Sequence, residues 1–166
     1  MISGRVWKLG DHVNTDVLHP SAYFSLNETK LKEGLMEGME RLGAGLKGIS
    51  LEDGLIIVAG ENFGCGSSRE TSVRGLRNFG VRGVVAVSFA RIFMRSLVNL
   101  AIPTLECREI LPLVRDGDLI QINLKGGLIE LSGGRRVPFS PMDQHIKKIL
   151  EAGGLIPYLR REKDGI

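Results

Sequence analysis

Length, composition and charge exclude several classes of protein. The chain has 166 residues, 43% apolar and 25% charged, as in an ordinary globular protein with one core. The net charge of +3 comes from dispersed basic residues, so nucleic acid is not expected as a partner. Two cysteines are too few for a disulfide framework or for a metal centre built on thiolates alone. Without a signal peptide or an apolar run near the ~20 residues of a membrane span, we expect a cytoplasmic protein with no membrane contact.

The first two thirds of the chain alternate strands and helices. Apolar runs predict strands over 2–9, 54–59, 83–87 and 103–107. Helical spacing of apolar residues predicts helices over 28–42, 69–79 and 89–100. Asn27 or Thr29 is a candidate cap of the first helix, which Gly38 and other glycines weaken. Ile92 and Phe93 are expected on the apolar face of the last helix. This order is typical of a parallel βαβ layer with right-handed crossovers.

Shorter elements follow residue 107. Strands are predicted over 118–124, 128–131 and 136–139, the first two as a hairpin. A last helix is predicted over 141–152, with Ser140 as its cap and Gly153 as its stop. The charged tail at 158–163 is expected to fray. We therefore predict an α/β fold, a βαβ layer with additional short strands, in one domain spanning 1–166.

The stretch GENFGCGSSRE (60–70) carries the main functional signal. Its glycines let the backbone turn sharply and approach a ligand closely. A helix that begins near Ser67 or Ser68 directs free N–H groups and the positive end of its dipole at the loop, and Arg69 adds a formal charge. The pattern predicts a small anion site for a carboxylate or an oxyanion.

A glycine- and serine-rich loop before a helix can also have other binding or catalytic roles. The spacing excludes a Gly-Lys-Ser/Thr phosphate loop, a dinucleotide fingerprint and a nucleophile elbow. A serine-capped helix start without chemistry stays open, as does a hydrolase triad with a base among His12, His19 and His145. A further use is proton abstraction, because N–H groups, the helix dipole and an arginine all favour a serine alkoxide. Such an alkoxide could remove a proton from a carbon beside a carboxylate.

Five segments together resemble one known family. They are VWKLGD (6–11), NTD (14–16), GENFGCGSSRE (60–70), SFARIFMRSLVNLAIP (88–103) and GGLIPYLRR (153–161). In this order, over nearly the whole chain, they resemble the small subunit of 3-isopropylmalate dehydratase, which is similar to the mobile swivel domain of aconitase. The resemblance implies a swivel-type domain with a β/β/α arrangement and a role in leucine biosynthesis.

The resemblance also implies a division of labour between two chains. A separate large subunit is expected to carry a [4Fe–4S] cluster, while this chain binds no cofactor and caps the site within a heterodimer or heterotetramer. The reaction is dehydration of a hydroxy acid followed by rehydration at the neighbouring carbon. Ser67 corresponds to the base that takes the carbon-bound proton, and Asp16 to the acidic residue of the NTD motif at the active site. Substrate-binding residues are expected to be Cys65, Gly66, Ser68, Arg69, Tyr23 and Phe24.

Two departures from the family pattern bear on function. Family members often continue GSSRE with His-Ala-Pro, whereas Thr71 follows Glu70 here, which leaves open a non-catalytic module that binds small acids. In related enzymes an arginine in the loop after NTD favours an additional substrate carboxylate, and the loop over 20–26 has none. Because burying an unpaired carboxylate is costly, we expect an apolar substituent. Isopropylmalate is the first expectation, and dimethylmalate and citramalate are the alternatives.

Overall fold

Seven strands form one mixed sheet. The computed structural model describes residues 1–43, 51–67 and 69–164. The strands are β1 (Ile2–Lys8), β2 (Leu55–Ala59), β3 (Val81–Ala86), β4 (Thr104–Glu106), β5 (Leu119–Asn123), β6 (Leu128–Glu130) and β7 (Arg136–Pro138). They lie in the order β4-β3-β2-β1-β5-β6-β7; β1 to β4 are parallel and β5 joins β1 antiparallel. The predicted βαβ layer and the additional short strands are therefore parts of one sheet, and the predicted α/β class is confirmed.

Helices connect the parallel strands and end the described chain. Between the parallel strands lie α1 (Thr15–Leu18), α2 (Glu28–Arg41), α3 (Glu70–Asn78) and α4 (Arg91–Asn99), and after the last strand come α5 (Gln144–Ala152) and α6 (Leu155–Asp164). Because the spatial order of the parallel strands follows the chain, right-handed crossovers bring α2, α3 and α4 to one face of the sheet. Within the described ranges, none of these helices combines the length and the apolar character needed to cross a bilayer.

The sheet buries side chains on both of its faces. On one face, Trp7 of β1 and Ile57 of β2 pack in a cluster with apolar residues of α2, α3 and α4. On the other face, Val58 of β2 packs in a cluster with Ile129 of β6 and Val137 of β7, so the antiparallel half curls over it. Every residue of β2 is buried, which explains its uninterrupted apolar run.

The carboxyl-terminal part of the chain differs from the prediction. The last predicted helix begins at Gln144 rather than 141, and its cap is Asp143, whose side chain accepts the N–H of His145 at 2.8 Å, rather than Ser140. The tail predicted to fray is helix α6. It packs against α4, and a Cβ on Gly154 would stand 2.6 Å from the carbonyl oxygen of Asn99. This tertiary contact orders a segment whose charged sequence alone indicated fraying.

One detail of α4 was wrong in the sequence prediction, and one glycine of α2 has a packing role that the sequence prediction did not include. Ile92 of α4, predicted to lie on the apolar face of this helix, is 70% exposed, because the buried stripe runs through Phe93 and Leu97 at helical spacing. Gly38 of α2, interpreted as weakening the helix, makes room for a close crossing. A Cβ at this position would stand 1.9 Å from the carbonyl oxygen of Leu18. The glycine therefore lets the segment after β1 pack directly on α2.

Candidate functional site

The candidate site lies where β1 and β2 end. Neighbouring parallel strands bring their carboxyl ends to the same edge of a sheet. Beyond this edge the two chains stay paired: Gly60 N–H donates to the Gly10 carbonyl at 3.0 Å, and Gly64 N–H donates to the Val13 carbonyl at 3.0 Å. The segment after β2 (60–67 and 69, the glycine loop) is therefore held by backbone hydrogen bonds to the segment after β1.

Ser67 and Asp16 meet at the end of this paired backbone. The Ser67 hydroxyl donates a short hydrogen bond to Asp16 Oδ1, and the Ser67 N–H donates to Asp16 Oδ2 at 3.3 Å. Thr15 fixes both partners, because its N–H donates to the Cys65 carbonyl at 2.7 Å and its hydroxyl to the Ser67 carbonyl at 2.9 Å. The Asn14 side chain caps α1 by accepting the Asp16 N–H at 2.7 Å. Two residues 51 positions apart thus form one hydroxyl–carboxylate pair.

Gly66 is required for this arrangement. Its φ is +97°, in the region that side chains disfavour. A Cβ added there would stand 2.2 Å from Asn14 Oδ1 and 3.2 Å from Asp16 Oδ2. The missing side chain therefore allows the glycine loop to approach the cap of α1.

Helix α3 matches the range predicted over 69–79 to within one residue at each end. Its first residue is Glu70, and its N-cap residue is Arg69, which makes no side-chain cap bond. The helix does not start at Ser67, as the anion-site prediction had suggested, because Thr15 and Asp16 hold the backbone of Ser67 outside the helix. A serine cap at Ser67 is therefore absent, and the N–H of Ser67 already binds a carboxylate. Ser68, predicted to bind substrate, lies outside the described residues.

Phe24 belongs to the segment over 19–24, the second wall of the site, and contacts Arg69 of the glycine loop. The guanidinium carbon of Arg69 lies 5.8 Å from the centre of the Phe24 ring, within the range of a cation–π contact. On its other side Phe24 stacks on His19, with ring centres 5.4 Å apart and planes 28° apart. A stack of arginine, phenylalanine and histidine thus connects the site to the interior. Arg69 itself is exposed and available to an anion.

His19 is the fully buried member of this stack. Its Nε2 lies 3.1 Å from the carbonyl oxygen of Leu31 in α2, and its Nδ1 has no hydrogen-bond partner among the described residues. Burial lowers the pKa of His19, and the bond to the Leu31 carbonyl opposes this only in part. Since the carbonyl only accepts, Nε2 carries the proton and the ring is neutral. His19 therefore supports the second wall as a neutral packed ring.

The other histidines also leave Ser67 without an imidazole base. His12 Nδ1 lies 3.4 Å from the Asn62 side-chain nitrogen, and His145 is an exposed residue in the first turn of α5. In the described part of the chain, the hydrogen-bonding partner of the Ser67 hydroxyl is Asp16. This geometry gives no support to the hydrolase triad considered above.

Tyr23 is part of the second wall, but its hydroxyl is directed to α2. The Tyr23 hydroxyl donates to Glu37 of α2 at 2.5 Å, and Arg41 also donates to Glu37. The hydrogen bond to Glu37 raises the pKa of Tyr23 and, from the other side, lowers the pKa of Glu37. The hydroxyl thus holds the second wall against α2. Because it already donates its hydrogen to Glu37, this hydrogen is not available to a substrate.

The two cysteines have different surroundings and do not form a metal site. Cys65 is half-buried, and its thiol donates to the His12 carbonyl at 3.3 Å. Cys107 is buried, and burial raises the pKa of its thiol. Within the described ranges, there is no group of three or more His, Cys, Asp or Glu residues that could hold a metal ion. These donors do not fit an iron–sulfur cluster on this chain.

Sequence reasoning missed two residues of the site. Thr15 lies inside the NTD segment but was given no role, although its two donors hold the backbone of the glycine loop. His19 was considered only as a triad base, whereas it packs beneath Phe24. A histidine between an apolar residue and a proline was the available signal for a buried ring.

Comparisons with known proteins show the family of this chain. Residues 49–109 match the family model of the aconitase C-terminal domain. The small subunit of isopropylmalate/citramalate isomerase from Methanocaldococcus jannaschii is 40% identical over 164 residues, which cover 98% of this chain and 95% of that protein. The chain belongs to the family of 3-isopropylmalate dehydratase small subunits. The predicted resemblance is thereby confirmed.

Further relatives extend across this family of hydro-lyase subunits. The 3-isopropylmalate dehydratase small subunit 1 of Thermotoga maritima is 39% identical over 165 residues, covering 97% of this chain and 96% of that protein. A crystal structure of 3-isopropylmalate dehydratase from Methanocaldococcus jannaschii has a TM-score of 0.85 and 35% identity, covering 98% of this chain and 95% of that chain. The predicted swivel-type fold is therefore confirmed as well.

Proposed function

We propose that this chain is the small subunit of a hydro-lyase that interconverts 2-isopropylmalate and 3-isopropylmalate in leucine biosynthesis, with Ser67 as its base. The observation that carries the proposal is the hydrogen bond from the Ser67 hydroxyl to Asp16, at the edge of the sheet and beside the exposed Arg69. Family membership supports the reaction class. The pair supplies a residue that can exchange a proton, and the arginine supplies a partner for a substrate carboxylate.

The proton transfers follow from the geometry of the pair. Asp16 is the acceptor of the Ser67 hydroxyl hydrogen, so the serine oxygen becomes basic as its own proton moves towards the carboxylate. That oxygen takes the proton from the substrate carbon. The carbon–hydrogen electron pair forms the double bond, and hydroxide leaves the neighbouring carbon. Rehydration at the other carbon reverses these transfers. Asp16 thus replaces the helix N–H groups that the sequence suggested as the activators of the serine.

The exposure of the Ser67–Asp16 pair to solvent supports a requirement for a partner subunit. Asp16, Ser67 and Arg69 are all exposed in this chain. Water screens charges at an exposed site and competes for the proton, and covering the site strengthens each of these interactions. We propose that a large subunit covers this edge and contributes the [4Fe–4S] cluster, which would bind the departing hydroxyl as a Lewis acid. In this proposal residues 1–166 act as one capping domain.

The second wall supports an apolar substrate substituent. Phe24 is half-buried between His19 and Arg69, and the loop over 20–26 contains no arginine. A branched alkyl group can pack on the phenylalanine ring, whereas an additional carboxylate would find no partner in this loop. We therefore propose isopropylmalate as the substrate, with citramalate or dimethylmalate turned over more slowly.

Reconstitution with the cognate large subunit tests the proposal. We would assay the complex anaerobically with isopropylmalate, dimethylmalate, citramalate and homocitrate, expecting the highest kcat/KM for isopropylmalate. Ser67→Ala and Asp16→Asn should each lower kcat by at least about 100-fold without preventing assembly, because each interrupts proton transfer. Ser96→Ala is the matched control, since Ser96 donates only to the Ile92 carbonyl within α4.

Specific outcomes would contradict the proposal. Wild-type turnover in Ser67→Ala would exclude the serine as the base. An assembled complex that turns over none of the four acids, while the isolated chain binds one of them in a calorimeter, would favour the non-catalytic binding module. Equal rates with homocitrate and isopropylmalate would reject the proposal that Phe24 selects an apolar substituent. The proposed dehydration and rehydration would still stand.

A further inference from the structure

A concave site lies at the opposite edge of the sheet from the candidate functional site. A cavity of about 460 Å³ opens beside Ile2, where β1 begins, and Arg82, near the start of β3. The glycine loop follows the other ends of the parallel strands. Because β3 has six residues that rise by about 3.3 Å each, the cavity and the loop are separated by roughly 15–20 Å. The cavity is therefore independent of the Ser67–Asp16 pair.

The walls of this cavity are mostly apolar. Ile2 and Leu124 line it from the sheet, while Met142 and Leu150 line it from α5 and the segment before it. Ala101 closes one side with a φ of +60°, at the position after α4 where glycine is usual. The volume is within the range of small-molecule sites, which are apolar with a few placed polar groups. A hydrocarbon group would lose its contact with water here on several sides.

Positive charges surround the opening. Arg82, Lys125 and Lys147 line the cavity, against one acidic residue, Glu151. The Arg82 guanidinium is held in place by the carbonyl oxygens of Ser3 at 3.1 Å and Glu52 at 3.3 Å. Within the described ranges, neither lysine has a carboxylate within 4.0 Å, and Lys147 is partly buried. A bound anion would supply the missing opposite charge.

We propose that this cavity binds a small carboxylate with a hydrocarbon tail. The carboxylate lies between Lys147, Lys125 and Arg82, and the tail packs between the sheet and α5. The cations select an anion, and the apolar walls select against a carboxylate without a tail. The site is separate from the proposed catalytic edge, so its occupation does not depend on the assignment of Ser67.

Titration of the full chain tests this site. Isocaproate is the probe, acetate is the control without a tail, and isoamylamine is the control with a tail but no anion. In amide-resolved NMR spectra, isocaproate should produce saturable shifts centred on Ile2, Arg82 and α5, with a dissociation constant at least about tenfold lower than for either control.

Charge-removing variants locate the anion. Lys147→Gln should raise the dissociation constant for isocaproate about tenfold, and Lys125→Gln should raise it in the same direction. Lys148→Gln is the matched control on the same helix, because Lys148 does not line the cavity, and it should change binding less than twofold. Circular dichroism of each variant checks that the fold is retained.

Several outcomes would overturn the site. Equal shifts with acetate would reduce it to nonspecific anion binding, and shifts centred on the glycine loop would move the ligand to the proposed catalytic edge. Absence of saturable shifts would reject binding altogether. Loss of binding on assembly with the cognate large subunit would show that a protein covers this face, which also overturns a ligand site. Failure of the reconstituted dehydratase assay would leave the titration result unchanged, so the two proposals fail separately.

Discussion

The two walls of the candidate site are held in place by different kinds of contact. The glycine loop is bound to the segment after β1 through backbone hydrogen bonds, including Gly64 to Val13 and Thr15 to Cys65. The opposite wall, residues 19–24, is held mainly by side chains. His19 packs under Phe24 against α2, and Tyr23 is bonded to Glu37.

This difference predicts which changes each wall tolerates. Backbone hydrogen bonds do not depend on side-chain identity. A substitution in the glycine loop should therefore disturb the loop only at positions where the new side chain would clash with neighbouring atoms. Residues 19–24 form fewer such bonds with the rest of the chain, so their position should depend on each buried ring. Four predictions test the comparison, from the largest effect to the smallest.

Gly66→Ala should have the largest effect on turnover. The new Cβ would meet Asn14 and Asp16 at a positive φ, so the glycine loop must move away from the serine–carboxylate pair. We expect kcat of the reconstituted enzyme to fall about 100-fold and the free energy of unfolding to fall by about 1–3 kcal/mol. Gly10→Ala is the matched control, because a Cβ there meets no atom within 4 Å. Equal losses in both variants would contradict the explanation.

His19→Ala should mainly reduce stability. The variant removes a fully buried ring and the hydrogen bond from its Nε2 to the Leu31 carbonyl. Denaturant unfolding should show a loss of about 2–4 kcal/mol, and KM should rise because Phe24 loses its support. His145→Ala, an exposed histidine in α5, should change the free energy of unfolding by less than about 0.5 kcal/mol. A stable variant with unchanged KM would show that the ring does not position the wall.

The lowered pKa of His19 predicts a dependence of stability on pH. Above the ordinary histidine pKa of about 6.5, the ring is neutral in both states and its contribution is complete. As the pH falls below this value, the unfolded chain takes up the proton first, so the free energy of unfolding decreases by up to about 1.4 kcal/mol per pH unit. The loss ends once the pH is below the folded-state pKa. The difference between wild type and His19→Gln isolates this term, and parallel stability curves would reject it.

Tyr23→Phe should have the smallest effect of the four. It removes the hydroxyl that donates to Glu37 but keeps the ring, and Arg41 remains as a second donor to Glu37. The contact is near the surface, where water replaces lost hydrogen bonds. We expect a decrease in thermal midpoint smaller than that of His19→Ala and an unchanged kcat. A decrease larger than that of His19→Ala would mean that the hydroxyl, rather than the buried ring, holds this wall.

Local patterns were sufficient to predict much of the fold and part of the site. The apolar run of β2 and the spacing within α2 and α3 depend on burial and on helical geometry that neighbouring residues already define. Helix α6 depends on contact with α4, so its charged sequence was misleading. Ser67 was wrongly placed at the start of α3 because its backbone is held by Thr15 and Asp16, about fifty residues earlier.

The sequence by itself determined the family, the order of strands and helices, and the residues from which a site is built, because motif order and hydrophobic periodicity are properties of the chain. Only the tertiary structure decided that Asp16 accepts the Ser67 hydrogen and that His19 supports Phe24. Such pairings depend on which strand ends meet at one edge of the sheet and on how closely two helices approach. These contacts are between residues far apart in sequence, so local sequence patterns do not predict them.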